Sequence, residues 1–385
     1  MSKTLQDYAT LINDTIQSNE INHYITTDNM CQNLGGIDTF KNINIPQGKV
    51  RSFQKDDVLL SNIRLYFRKV YRAKQKGGCS SDVLVFRAKR IDSATLFAIL
   101  SSQIFTDYAC SGSQGSKMPR GNKTHMMDFK IPTINFTIAK IFNSIQNKIE
   151  NNHKINELLH KILELLYEQY FVRFDFLDEN NKPYQTSGGK MKFSKELNRL
   201  IPNDFEVKTL GELTQLKVGN KNANHSSNQG KYPFFTCSNN PLKCETYQFE
   251  GKHIIISGNG NFYVTHYDGK FDAYQRTYVV NPNNPNHYVL IYLFVKSYTN
   301  YLKLQSRGSI IKFITKSDIE NIKIVLPNLK TYTKWNNVLK IIENNNQSTQ
   351  TLTALRDFLL PLLLTQQVKP QEKEVSKIKS LSQIR

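Results

Sequence analysis

Three stretches of the chain carry the residue types that bind a polyanion. RLYFRKVYRAKQK (64–76) sets Arg64, Arg68, Lys69 and Arg72 among Tyr66, Phe67 and Tyr71. Basic groups without fixed planar geometry neutralise backbone phosphates, so phosphate positioning is the chemistry this run suits. GSKMPRGNK (115–123) is a loop shaped by Gly and Pro that holds Lys117, Arg120, Asn122 and Lys123. Arg can take guanine through two hydrogen bonds and Asn can take adenine, which makes this loop the preferred base-reading candidate of the first half. Further on, GNGNF (258–262) and YQRTY (274–278) offer Asn259, Asn261, Tyr274, Gln275 and Arg276, and QSRGSIIK (305–312) adds Arg307 and Lys312. Against each stands the plainer reading of a solvated basic face. The whole-chain balance weighs against it: 51 Lys and Arg oppose 32 Asp and Glu, a formal charge of +19, and such a field attracts nucleic acid.

Residues for other chemistry are missing. No Asp/Asn-Pro-Pro-aromatic motif for amino-methylation occurs; NNPL (239–242) has one Pro and the wrong fourth residue. GNG (258–260) continues into no GxGxxG, and no GxxxxGK[ST] exists for a nucleotide-driven motor. The eight His make no HxxxH or HExxH spacing, and Cys237 and Cys244 stand seven apart, so no metal is expected. Five scattered Cys read as buried thiols of a reducing compartment. The first residues, MSKTLQDYATLIND, do not read as a signal peptide, and FLLPLLL (358–364) is too short to span a bilayer. A cytoplasmic, non-catalytic binder is the expectation, without a membrane.

The elements that position these residues come in two copies. Thr106, Tyr108, Ser113, Gly115, Ser116 and Lys123 fall on Thr299, Tyr301, Ser306, Gly308, Ser309 and Lys316, a constant shift of 193. At the same shift IENN (149–152) returns at 342–345. Upstream the offset drifts by about three residues, with DVLLSN (57–62) against HIIISG (253–258) and SDVLVF (81–86) against RTYVVN (276–281). A long period in one register is a duplication of domains rather than a solenoid. Each half opens with short strand-like runs broken by Gly, Asn and Pro, includes a short helix (94–109 and 287–303), and ends in a long helix after Pro132 or Pro327.

In the first long helix, apolar residues recur at three and four through Ile145, Ile149, Leu159, Ile162 and Leu166; in the second, through Ile342, Leu352, Leu355 and Leu359. Both stripes are interrupted alike, by Asn151–Asn152 and Asn344–Asn345, and a polar notch can fix the register of a seam. Antiparallel pairing of the two helices through these positions is the expected arrangement. A helix from Ile138 to Leu166 would be roughly 43 Å long, a spacer of about a dozen base pairs.

The residues also resemble a known family, the specificity (S) subunits of type I restriction–modification enzymes. HYITTDNMCQNLGGI (23–37), DDVLLSNIRLYFRKV (56–70), GGCSSDVLVFR (77–87) and GSQGSKMPRGNKTHMMDFKIP (112–132) resemble one class of that family's target-recognition domains. ISGNGNFYVTHYDGKFDAYQRTYVV (256–280) resembles another, and FDFLDENNKPYQTSGGKMKFSKEL (174–197) resembles the segment after the family's first long helix. The resemblance implies an α+β fold: two mixed α/β target-recognition domains joined by two long antiparallel helices, a pseudo-two-fold internal repeat. The expected limits are 1–136 and 206–328 for the recognition domains, 137–172 and 329–367 for the spacer helices, 173–205 for a connector and 368–385 for a tail. It further implies double-stranded DNA as ligand, two methyltransferase subunits and restriction subunits as partners, and no cofactor in this chain, S-adenosylmethionine and ATP belonging to the partners. The rival expectation is a stand-alone DNA-binding or decoy protein of a mobile element.

Overall fold

The structure, a computed structural model, describes residues 3–39, 41–131, 133–238, 240–309, 311–327 and 333–364. Pro132 and the 368–385 tail therefore lie outside the described residues, as does part of the expected 329–367 helix. The fold is mixed α+β, and the chain divides into two compact units, one of residues 1–154 with 346–385 and one of residues 155–345. The division falls inside both long helices, Phe136–Tyr167 and Thr333–Leu359, so each unit holds a stretch of each.

Both units have the same plan. In the first, a four-stranded sheet runs Ala9–Ile12, Val83–Ala88, Val58–Ser61, Val70–Arg72, all antiparallel. In the second, the equivalent order is Thr214–Val218, Thr277–Pro282, Lys252–Ser257, Val264–Asp268. The aligned runs are thus the two central strands of each sheet. Because side chains alternate across a strand, both faces are buried and no polar face remains. Val58, Leu60, Leu84 and Phe86 face the helices of the first unit, while Leu59, Val83 and Val85 face a second sheet. In the second unit Ile254, Ile256, Tyr278 and Val280 take the helical side, and Ile255 and Val279 the other. In both, the second sheet includes a parallel pair, Tyr24–Ile25 with Gly77–Cys79 and Tyr232–Phe235 with Asp272–Ala273.

The short helices differ from the single ones expected. Each is two: Ser93–Ser101 then Gln103–Ser111, and Tyr288–Ser297 then Thr299–Gln305. Extended Ser102 breaks the first, and its hydroxyl accepts from the Phe105 amide to start the next. Such a Ser favours a cap over a helix interior.

Within each unit the long helices run antiparallel. In the first, Asn152 Nδ2 donates to Thr349 Oγ1 (3.2 Å), Arg356 donates to Gln146 Oε1 (3.1 Å) and the Asn135 amide to the Leu363 carbonyl (3.0 Å). Ile145, Ile149 and Leu359 form the buried seam there, with Leu352 and Leu355 against them. In the second unit Asn345 donates to Asn156 Oδ1 (2.9 Å), Asn156 donates to the Ile342 carbonyl (3.3 Å), and Trp335 lies edge-on to Tyr170 and Phe171. Ile342 is buried, with Leu159 and Leu166 packed on the same core.

One seam position is corrected: Ile162 is 46% exposed, and Leu163, fully buried, takes its place. The inward line runs Ile149, Asn152, Asn156, Leu163, Tyr167, all buried. Two of its members are polar, so a count of apolar residues drifts onto the neighbouring face, where Leu158 and Leu165 are also half exposed.

Candidate nucleic-acid interface

The candidate contact residues sit on backbone whose conformation is built identically in both units. In the first, the turn after the strand Val58–Ser61 receives the loop 114–120. Asn62 N–H donates to the Asp82 carbonyl (2.7 Å), Gly121 N–H to the Asn62 carbonyl (3.1 Å) and Arg64 N–H to the Pro119 carbonyl (2.9 Å). The loop is closed by reciprocal Gln114–Arg120 bonds of 2.9 and 2.8 Å. In the second unit every one of these recurs. Gly258 donates to Arg276 (2.7 Å), Ile314 to Gly258 (3.0 Å) and Gly260 to Lys312 (2.9 Å), and Arg307 and Phe313 close the loop at 2.9 and 2.8 Å. Gln114 on Arg307, Arg120 on Phe313 and Gly121 on Ile314 keep the shift of 193. Gly115 and Gly308 both have φ near +100° (97° and 101°), a conformation that costs other residues strain, which is why the loop keeps a Gly there twice.

What the loops present differs between the units. Lys117 and Arg120 are exposed on the first, Arg307 and Lys312 on the second. Arg120 pairs with Asp82 at 3.0 Å and Arg307 with Asp318 at 3.2 Å, the Arg side chains about 60% exposed (62% and 61%). Exposed pairs of this kind contribute little, so the guanidiniums are free to exchange a carboxylate for a phosphate or a base. Burial works against the Asp318 carboxylate, but the Thr315 hydroxyl and amide, with Arg307 beside it, hold it below the usual range. Each loop tip also exposes an apolar side chain at the matched position, Met118 (54%) and Ile311 (61%). Asp82, missed in the sequence reading, corresponds to Arg276: both carbonyls anchor the same turn, yet one side chain is acidic and the other basic.

The remaining candidates divide by placement. Asn122 is exposed but its carboxamide accepts from the His125 amide (3.1 Å), capping the helix Lys123–Met127. Its counterpart Thr315 caps Lys316–Glu320 in the same way. Lys123, the first residue of its helix, is exposed. Gln275 and Arg276 form an exposed turn beside the clasp, with Tyr274 half buried beneath it. Asn261 is exposed and donates to Tyr263 Oη (3.1 Å), and Asn259 pairs through its backbone with Phe313.

Most of the basic run 64–76 turns toward its own unit. Arg68 donates to the Ser101 carbonyl (2.9 Å), and burial lowers its pKa against the pull of Asp357. Lys69 donates to the Thr27 carbonyl, and burial lowers its ammonium pKa too, with Asp28 opposing. Arg72 lies 3.8 Å from Asp56 with its side chain 16% exposed. Arg64 stands at the loop base, its guanidinium 3.4 Å from the Lys117 carbonyl. Arg64 and Arg68 both have φ of 49°, framing the turn Leu65–Phe67. The sequence pattern of charge between aromatics gave no sign of which charges point outward.

Among the described residues no helix is long and apolar enough to cross a membrane. Residues 202–355 match the family model for the type I restriction modification DNA specificity domain. Over 132 residues, a third of this chain (33%), the sequence is 37% identical to the EcoDI specificity subunit of Escherichia coli, a match that spans 28% of that subunit. Over 310 residues it is 24% identical to the MjaIX specificity subunit of Methanocaldococcus jannaschii, covering 72% of this chain and 69% of that one. The fold is that of the S subunit of a type I system from M. genitalium, with a TM-score of 0.61 at 16% identity and 96% of each chain covered. With its duplicated loops and paired long helices, the chain thus has the fold of a type I S subunit, and its residues 202–355 match the type I restriction modification DNA specificity domain.

Proposed function

We propose that this chain reads DNA sequence for a type I restriction–modification complex and performs no chemistry itself. It recognises a bipartite, asymmetric duplex target, one half through the clasped loop of each half of the chain. The observation that carries this reading is the recurrence of one clasp, bond for bond, with different side chains on it: a constant frame with variable contacts is what two distinct half-sites require. Residues 1–136 would govern one half-site and 206–328 the other. The helices 137–172 and 329–367 would set the gap between them, and 173–205 would connect the halves.

In this reading Lys117, Arg120, Arg307 and Lys312 contact bases and nearby phosphates, because their charged groups lie exposed on the loops and the two Arg are held only by weak exposed ion pairs. Two methyltransferase subunits would methylate adenine N6 where this chain positions them, and restriction subunits would join them. S-adenosylmethionine and ATP would be bound by those partners. The test is a methylome: co-expressed with its methyltransferase in an unmethylated host, the chain should produce one bipartite N6-methyladenine motif, and Arg307→Ala with Lys312→Ala should relax only one half of it. A stand-alone binder or decoy would instead bind DNA and leave no methylated motif.

A further inference from the structure

A side-chain cluster in the second unit lies apart from the DNA loops. The strand Tyr232–Phe235 is the middle of a three-stranded sheet, with Leu242–Cys244 on one side and Asp272–Ala273 on the other. Cys244 registers opposite Tyr232 and Asp272 opposite Phe234. Those partners are two residues apart on one strand, so by the alternation of a strand Cys244 and Asp272 project to the same face. The turn Ala223–His225 lays His225 over that face, its ring edge-on to Phe234 at 5.4 Å. Gly230 lets the chain close over the site, since a Cβ there would meet the Cys244 backbone nitrogen at 2.4 Å.

The result is one imidazole, one thiol and one carboxylate whose donor atoms all lie within 4.8 Å of one another. His225 Nε2 is 3.0 Å from Asp272 Oδ2, which also accepts from Thr246 Oγ1. Asp272 is fully buried, and its other oxygen, Oδ1, has no hydrogen-bond partner. A buried carboxylate oxygen left bare is costly unless a cation faces it. The Thr246 hydroxyl also lies 3.0 Å from His225 Nε2, so it borders both ligand atoms and must turn off that nitrogen for the lone pair to reach a metal.

We infer that His225, Cys244 and Asp272 form a zinc-class metal site that ties the turn 223–225 to the second sheet of this unit. The donor set of one nitrogen, one thiolate and one carboxylate suits Zn²⁺ over Mg²⁺ or Ca²⁺, which take oxygen. Three ligands at about 2.0–2.3 Å leave the fourth tetrahedral position to water; His225, the partly exposed member at 24%, marks the open side. On binding, the Cys244 thiol releases its proton to solvent and His225 offers the Nε2 lone pair from its neutral form. Local spacing hides the site, because its ligands are scattered over 47 residues from His225 to Asp272 and only the fold brings them together.

The experiment uses the full chain, tag removed, loaded with Co²⁺ and separately with Zn²⁺. Expected are a near-ultraviolet thiolate-to-cobalt band with tetrahedral visible bands, about one zinc per chain after dialysis, and a thermal midpoint that a chelator lowers and zinc restores. Cys244→Ser should abolish the thiolate band, while Cys237→Ser and Cys110→Ser should keep it. Should Cys244→Ser fail to fold, the parent protein decides on its own. Absence of the thiolate band, or a midpoint unmoved by chelator and zinc, overturns the site and leaves a His–Asp–Thr hydrogen-bonded latch.

Discussion

Basic residues of similar spacing in the sequence occupy different places in the structure, and this makes the first prediction. Lys117, Arg120, Arg307 and Lys312 lie exposed on clasped loops, whereas Arg68 is spent on the Ser101 carbonyl. Replacing Lys117 and Arg120 together with Ala should weaken DNA binding and reduce the slope of log affinity against log salt by about 2, since each phosphate contact is worth about 0.9. Arg68→Ala should leave that slope unchanged and cost stability, roughly 1–3 kcal/mol, by stranding a carbonyl and opening a gap. Isothermal titration across a salt series, with denaturant unfolding of both variants, checks the pair. At this scale the sequence was half legible. The loop 115–123 stood out from its Gly, Pro and basic residues, but the cap role of Asn122 and the inward turn of Arg68 and Lys69 depend on neighbours distant in the chain. Asp82 was not legible: the aligned runs 81–86 and 276–281 put Ser81 on Arg276, and only the strand register, with Leu60 opposite Leu84 as Ile256 is opposite Tyr278, moves Asp82 onto Arg276.

At the scale of elements, the paired helices are read from sequence as far as their apolar residues go. Asn156 and Arg356 face inward, Arg356 at 2% exposure with its guanidinium on Gln146, Asp357 and the Asn33 carbonyl. A period count that scores only apolar residues omits them and places Ile162 in the seam. The consequence is measurable. Leu163→Ala should destabilise by about 2–4 kcal/mol, whereas Ile162→Ala, on the exposed face, should stay within about 0.5 kcal/mol. Equal losses in urea denaturation would return Ile162 to the seam. The helix also carries a pH response. Burial, reinforced by Lys296 and His266 and opposed by Glu164, pushes the His160 pKa down to about 4. The unfolded chain then binds the proton that the folded one refuses. Stability should therefore fall as pH drops from about 6.5 to about 4, by at most about 3 kcal/mol, and level off below. His160→Gln should flatten the curve in that window; an unchanged curve would place the response elsewhere.

For the whole molecule, the duplication was the most legible feature, because a shift of 193 that keeps Gly115 on Gly308 preserves a backbone requirement as well as a letter. The unit division inside both long helices was not legible, since a helix period is continuous across it. Inserting four residues after Asn152 lengthens the first helix by roughly 6 Å, and the methylated motif should keep both halves while its gap grows by one or two base pairs. The claim of two independent readers is tested most directly by exchanging residues 206–328 for the same segment of another specificity subunit and sequencing the methylome produced with the methyltransferase. The expected result is a hybrid motif, one half original and one half the donor's, with the gap preserved. An exchanged protein that assembles with its methyltransferase yet methylates neither half-motif would contradict it.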